Sequence, residues 1–278
     1  MQSNYSFKGT AYDCYFQANI RRRPLNSGVS PHMRFAILII LIALANPVNA
    51  ETGKAFSKSE DLGSWITYYY KNPDSARVAQ AVLFASQSGF FKDGKASPPF
   101  FGFLAGWFSQ NRSSAEVVVE QLLELPAADQ PVLVLGLWYS AIPETKALLA
   151  KYASRLPSQE ALIAQLAASG QPSITDIPIE QGPWVLDALW GNFMATGAEA
   201  PVARIVSALP WATIKGDIPR LLVGGSAKWS LTSNAVQHPR VLEICRQLLP
   251  RSAKNVAMPL KEVIHDAEQD LRKEKSGG

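Results

Sequence analysis

The chain has almost none of the residues from which metal centres and disulfide frameworks are built. Its 278 residues include only two cysteines, Cys14 and Cys245, and three histidines. Zinc sites use clusters of these residues, and a disulfide framework needs several closely spaced cysteines. Glu262 and His265 stand three residues apart, but a metal site in a helical bundle needs matching pairs from other helices. We therefore predict no metal and no cofactor.

Catalytic motifs are missing as well. The sequence has no G-x-S-x-G nucleophile elbow, no G-x-x-x-x-G-K-[ST] phosphate loop and no strand-led G-x-G-x-x-G. One candidate remains, Asp187, whose apolar neighbours Val185, Leu186 and Leu189 would raise its pKa if the carboxyl were buried. Glycosidases need two facing carboxyl groups, and a buried acid is ordinarily paired with a base. Asp187 is a weak catalytic candidate, and enzyme activity stays an open question.

One long apolar run stands near the N-terminus, in MRFAILIILIALANPVNAETG, residues 33–53. Arg34 precedes apolar residues 35–45, and Val48-Asn49-Ala50 has the form that signal peptidase cleaves. A helix of this run would be roughly 18 Å long, shorter than the ~30 Å core of a bilayer. We predict a signal peptide over residues 33–50, cleaved between Ala50 and Glu51, and a periplasmic or secreted protein.

Residues 1–32 lack sustained periodicity and contain Arg21-Arg22-Arg23. We predict that translation starts at Met33 and that residues 1–32 are an upstream extension outside the native protein. If these residues are made, the three arginines favour a cytoplasmic N-terminus. The leader would then remain uncleaved and anchor the protein in the inner membrane.

The excess of positive charge belongs to the same N-terminal segment. The full chain has 27 basic and 23 acidic residues. Loss of residues 1–50 removes five basic residues and one acidic residue, which leaves 22 of each. Proteins that bind nucleic acid neutralise phosphates with clustered lysine and arginine. A neutral mature chain therefore argues against nucleic acid as a partner.

Runs of alternating β-branched residues, which are typical of strands, are few in residues 51–278. This part of the chain is rich in alanine and leucine, and its prolines stand between segments with helical periodicity. The pattern predicts a single all-α domain of roughly ten to twelve short helices. Cys245 lies on the apolar face of one of them, in VLEICRQLL, so we predict a buried thiol.

Four segments share a common pattern of a helix with a tryptophan in its last turns, a polar turn and an amphipathic helix. Their tryptophans are Trp107, Trp138, Trp190 and Trp229, and the longest interval contains an insertion at residues 157–183. One helical hairpin cannot bury its own apolar face, so such units stack on their neighbours. We predict an irregular, α-solenoid-like array of helical hairpins.

These hairpins resemble tetratricopeptide and HEAT-type helical repeats in a generic way. Their spacing is irregular, however, and the Leu-Gly and Tyr positions of the tetratricopeptide pattern are not reproduced in order. Together with the leader, the tryptophan-bearing hairpins also resemble exported helical proteins of Gram-negative bacteria. The resemblance implies a helical array outside the cytoplasm, and it implies no particular activity.

Aromatic residues are dense in the predicted domain. A tryptophan that recurs at equivalent repeat positions is most simply a wedge in the core. The alternative is that some aromatics line the concave face of the array and bind peptide or glycan, because interface hot spots favour Trp and Tyr. Three consecutive tyrosines cannot all point inward from one helix. The candidate binding residues are Tyr68, Tyr69, Tyr70, Trp107, Trp138, Tyr139, Trp190 and Trp229.

Together these features predict a non-enzymatic protein-interaction or assembly module of the cell envelope. Its partner would be a protein or peptide, a membrane would be involved only through an uncleaved leader, and the oligomeric state stays open. Two alternatives remain. One is a glycan-cleaving hydrolase of the cell envelope that uses Asp187 or another buried carboxylate. The other is a scaffold held in the inner membrane by its leader.

Overall fold

The computed structural model describes residues 55–92 and 94–276, so the predicted leader and residues 1–32 lie outside the described part. All regular secondary structure in this part is helical, which confirms the all-α prediction. The α-helices are α1 Ser59–Thr67, α2 Val78–Gln87, α3 Ser97–Gln110, α4 Ala115–Leu122, α5 Pro131–Tyr139, α6 Thr145–Tyr152, α7 Glu160–Ala167, α8 Pro183–Thr196, α9 Glu199–Val206, α10 Ile218–Gln237, α11 Pro239–Leu248 and α12 Lys254–Ser276. No helix among these residues is long and apolar enough to span a membrane.

Proline and glycine mark the ends of many of these helices. A proline stands in the first turn of α3, α5, α8, α10 and α11, where its missing N–H has no helical partner to lose. Gly197 ends α8 in the left-handed conformation that favours glycine. The last helix is an exception, because α12 begins at Lys254 and contains Pro259 in its interior.

The centre of the molecule consists of α3, α5 and α8. All nine residues of α5 are buried, and α3 packs against both α5 and α8. Glycine permits the closest of these contacts. A Cβ on Gly102 would overlap the carbonyl oxygen of Ala188, and a Cβ on Gly191 would overlap that of Pro99. The backbones of α3 and α8 therefore touch at a crossing that larger residues would push apart.

The four helices that carry the recurring tryptophans lie side by side, and their packing order differs from their order in the sequence. Contacts join α5 to α3, α3 to α8, and α8 to α10, so the first helix of the array packs between the second and the third. Among the other helix contacts, α4 packs on α2, α9 on α11 and α12 on α10. The solenoid-like character of the whole array stays a prediction.

The four tryptophans are not equivalent. Trp107 and Trp138 lie in the last turns of α3 and α5 and are buried, whereas Trp190 lies in the middle of α8 and is also buried. Trp229 lies in the middle of α10 and is 46% exposed. The predicted position in the last turns of a helix is therefore wrong for Trp190 and Trp229, and the predicted burial in the core is wrong for Trp229. On the inner face of α10, Gly224 packs against Trp211 so tightly that no larger side chain fits.

Candidate functional site

Helix α10 carries apolar residues on two opposite faces. Its inner face is buried and consists of Val223, Gly224, Ala227, Leu231 and Ala235. On the outer face the exposed fractions are 69% for Ile218, 39% for Leu221, 42% for Leu222 and 46% for Trp229. These residues recur at helical intervals, so they form one stripe along the helix. We call the stripe Ile218, Leu221, Leu222, Gly225 and Trp229 the α10 ridge.

The α10 ridge stands out from the rest of the described surface. The other large hydrophobic residues that are exposed in residues 55–92 and 94–276 are Val117 on α4 and Met258 on α12. Single exposed apolar residues are normal in soluble proteins, but contiguous exposed patches mark interaction sites. The ridge is therefore the strongest candidate for a binding surface.

The charged residues beside the ridge have partners within the same molecule. Lys228 pairs with Glu262 at 2.6 Å, and Arg220 lies 3.8 Å from Asp217 and 3.9 Å from Glu180. No acidic residue occurs between Ile218 and Gln237. The ridge consequently presents apolar side chains without an unpaired charge beside them, and such a surface favours an apolar partner over a charged one.

Two neighbouring glycines serve the two faces of α10. A Cβ on Gly224 would overlap the backbone of Trp211 and Ala212, so this glycine lets the 3-10 turn Leu209–Thr213 pack against the helix. A Cβ on Gly225 would find no atom within 4 Å. Gly225 therefore leaves an open notch in the ridge, between Leu222 and Trp229.

A second cluster surrounds His238, at the junction of α10 and α11. Its imidazole is fully buried, and its ring centroid lies 5.3 Å from that of Tyr68, 5.8 Å from that of Tyr70 and 6.0 Å from that of Phe193. The Tyr70 hydroxyl lies 3.3 Å from Nδ1. Nε2 is buried and has no hydrogen-bond partner among the described residues.

Burial favours the uncharged forms of His238 and Tyr70 in this cluster. Burial lowers the pKa of His238 to about 3, and the nearby charge of Lys71 acts in the same direction. Burial also raises the pKa of Tyr70 to about 12. The Lys71 ammonium lies over the rings of Tyr68, at 4.7 Å, and Tyr70, at 5.8 Å. Because these rings already contact Lys71 and His238, the cluster is a packed element of the fold and offers little free aromatic surface.

Asp187 lies in the first half of α8 and is mostly buried. Burial raises the pKa of its carboxyl to about 7. No hydrogen bond or ion pair from a described residue reaches the carboxylate. A carboxyl with such a pKa could exchange a proton near neutral pH, but the structure does not join it to a second acid or to a base.

The sequence-predicted binding residues separate into three environments. Those that are buried in the core are Tyr69, Trp107, Trp138, Tyr139 and Trp190. The Trp107 indole N–H donates to Ser75 Oγ at 3.3 Å, as expected of a core side chain with a satisfied polar atom. Buried residues present no surface to a partner, so we remove these five from the binding set.

The structure brings together only two of the remaining predicted residues. Tyr68 and Tyr70 are half-buried beside His238, and Trp229 is exposed on the α10 ridge. Three ridge residues, Ile218, Leu221 and Leu222, were missed by the sequence reasoning. Their spacing relative to Trp229 predicts an apolar helix face, but a helix with apolar residues all round is usually buried.

No protein-family model, no curated protein and no solved structure matches the chain. Helical arrays host many unrelated functions, so the all-α fold alone assigns none. Function must therefore follow from the chemistry of the α10 ridge, the His238 cluster and Asp187.

Proposed function

We propose that this protein is an exported, non-enzymatic module of the cell envelope that binds another protein through the α10 ridge. The observation that carries the proposal is the exposed stripe of Ile218, Leu221, Leu222 and Trp229 on one face of α10. Apolar patches of this kind mark protein interfaces, and tryptophan is enriched among their hot spots. Export rests on the leader at residues 33–50.

The shape of the ridge favours a helix as the binding element of the partner. Ile218 and Trp229 are eleven residues apart, which corresponds to about 16 Å along a helix axis. Such a convex stripe fits the apolar face of one crossing helix, with the notch at Gly225 as the point of closest approach. The neighbouring charges are already paired, so apolar packing supplies the recognition.

The hydrolase alternative depends on Asp187. A glycosidase acts with two carboxyl groups about 5–9.5 Å apart. Only the raised pKa of Asp187 favours this alternative, because the carboxylate has no partner among the described residues. Replacement of Asp187 by Asn would abolish cleavage of cell-wall glycan by a hydrolase, whereas binding through α10 would be unchanged.

The proposed function can be tested by photo-crosslinking in living cells. A photoreactive phenylalanine analogue replaces Leu222 in the full chain, expressed with its leader, and a second variant carries it at Val117 as a control. Val117 is 58% exposed and Leu222 is 42% exposed, but Val117 has no exposed large hydrophobic neighbour on α4. We expect covalent protein adducts from position 222 and none from position 117.

A variant at Trp229 and the cross-linking control together define the result that would contradict the proposal. A further variant combines the photoreactive residue at position 222 with Trp229→Ala, and we expect the adducts to decrease at least about tenfold, the effect of losing one hot-spot side chain. Identical adduct patterns from positions 222 and 117, or none from either, would show that the ridge is no binding surface.

A further inference from the structure

We infer that the partner helix is α10 of a second copy of this chain, packed antiparallel across Gly225. This inference deepens the proposed function and rests on it. The α10 ridge is the only contiguous apolar helix face exposed in the described part of the molecule. Two copies that pack ridge against ridge bury the exposed stripes of both molecules in one contact.

The sequence of the ridge is self-complementary in the antiparallel orientation. A two-fold axis at Gly225 places Leu221 of one copy opposite Trp229 of the other, and the same contact repeats on the other side of the axis. Leu222 then lies opposite the aliphatic stem of Lys228, which can cover it while the ammonium stays with Glu262. Leu221 and Trp229 thus form the apolar contacts on either side of the axis, and Ile218 lies opposite Thr232.

Gly225 allows the two helices to approach closely at the axis. A Cβ added there would meet no atom within 4 Å, so the space above Gly225 is open to another molecule. Helix axes pack about 8–10 Å apart depending on the side chains between them, and the smallest side chains give the shortest distance. The notch of each copy would therefore receive the backbone of the other.

The charges select the antiparallel orientation. A parallel pair would place Lys228 against Lys228 and Trp229 against Trp229. In the antiparallel pair the two Lys228 residues are six residues apart along the axis, or roughly 9 Å. Both lysines keep their intramolecular partner Glu262, so no like charges meet in the interface.

The size of the ridge sets the strength of the dimer. From the exposed fractions, the four large side chains present about 400 Å² per copy. A standard interface takes about 800 Å² from each partner, so a contact made by the ridge alone is smaller than a standard interface. We expect a weak dimer that forms in the micromolar concentration range, about 1–100 µM.

Cysteine cross-linking tests the position of the axis. Cys245 is buried, and Cys14 can be changed to Ser. Any disulfide-linked dimer then forms through the one cysteine that is introduced. We expect mild oxidation of the full-chain variant Gly225→Cys to give a disulfide-linked dimer, because the two Cα atoms lie within the roughly 7 Å that a disulfide spans. The matched variant Ser233→Cys, exposed on the same helix two turns away, should stay monomeric.

Sedimentation equilibrium supplies a readout that needs no cysteine. We expect the unsubstituted chain to dimerise with rising concentration, Leu222→Lys to weaken association at least about tenfold, and Val117→Lys to leave it unchanged. A chain that stays monomeric at all concentrations, or a dimer insensitive to Leu222→Lys, would overturn the inference. If position 222 still gives adducts with a different protein in cells, the proposed function stands and only the second copy is excluded.

Discussion

Two buried titratable residues make opposite contributions to stability as the pH changes. His238 and Asp187 both lie where burial favours the uncharged form. For a base this lowers the pKa, and for an acid it raises the pKa. The free energy of unfolding therefore depends on His238 mainly in acid and on Asp187 mainly towards neutral pH.

We predict that His238→Phe reduces the acid sensitivity of the fold. Between pH 6.5 and about 3 the unfolded chain binds a proton that the folded chain excludes, so the free energy of unfolding falls as the pH falls, by about 1.4 kcal/mol per pH unit. Phenylalanine keeps a ring between Tyr68, Tyr70 and Phe193 but cannot take up the proton. Urea unfolding at pH 6.5, 5.5 and 4.5 measures the change in slope.

His265→Phe is the control for this variant, because His265 is exposed on α12. It should keep the pH dependence of the unsubstituted protein. Equal slopes for all three proteins would contradict the assignment of the acid sensitivity to His238.

We predict that Asp187→Asn stabilises the protein at pH 8 by at least about 1 kcal/mol and has little effect at pH 4. Between pH 3.8 and about 7 the folded carboxyl keeps a proton that the unfolded chain has lost. Its contribution to stability is therefore lost as the pH rises through this window.

Thermal unfolding at both pH values measures the difference between Asp187→Asn and the unsubstituted protein. Asp266→Asn serves as the control, because Asp266 is an exposed acid on α12. Destabilisation of the Asp187 variant at pH 8 would mean that the carboxylate has a partner.

At the scale of the element, α10 shows how one helix serves the core and the surface. Gly224 faces inward against Trp211, and Gly225 faces outward into open space. Prolines and glycines are visible in the sequence, and they predict some helix starts, as at Pro131, whereas Pro259 lies inside α12. Which of two adjacent glycines is buried depends on what packs against the helix, and the chain does not reveal this locally.

We predict opposite outcomes for alanine at the two glycines. Gly224→Ala should lower the free energy of unfolding by at least about 2 kcal/mol, because its Cβ would overlap the backbone of Trp211 and force α10 outward. Gly225→Ala should raise it by about 0.5–1 kcal/mol, since alanine favours the helix and meets no atom. Denaturant titration of dilute protein compares the two. A destabilised Gly225 variant would contradict the outward placement of this residue.

The recurring tryptophans illustrate the limit of reasoning by element. Trp107, Trp138 and Trp190 are buried, but Trp229 is exposed although its segment follows the same sequence pattern. The difference arises because the inner face of α10 must fit the turn at Leu209–Thr213. A repeat in sequence therefore predicts the helices and does not by itself predict the burial of each side chain.

For the whole molecule, we predict that the protein recovered from the cell envelope begins at Glu51. Signal peptidase requires a small residue at the last position of the leader, here Ala50. Ala50→Leu should therefore leave an uncleaved precursor in the membrane fraction. Mass spectrometry of the N-terminal peptide checks both forms. An intact leader on the unsubstituted protein would favour the membrane-anchored alternative.

Because periodicity and proline act locally, the sequence predicts the helical class, the start of helices such as α5 at Pro131 and the buried thiol at Cys245. The tertiary structure decided the packing order of the helices, the partners of His238 and the exposure of the α10 ridge. Tyr70 and His238 are 168 residues apart in the chain. A contact over such a distance depends on how all the intervening helices pack, and local preferences do not encode it.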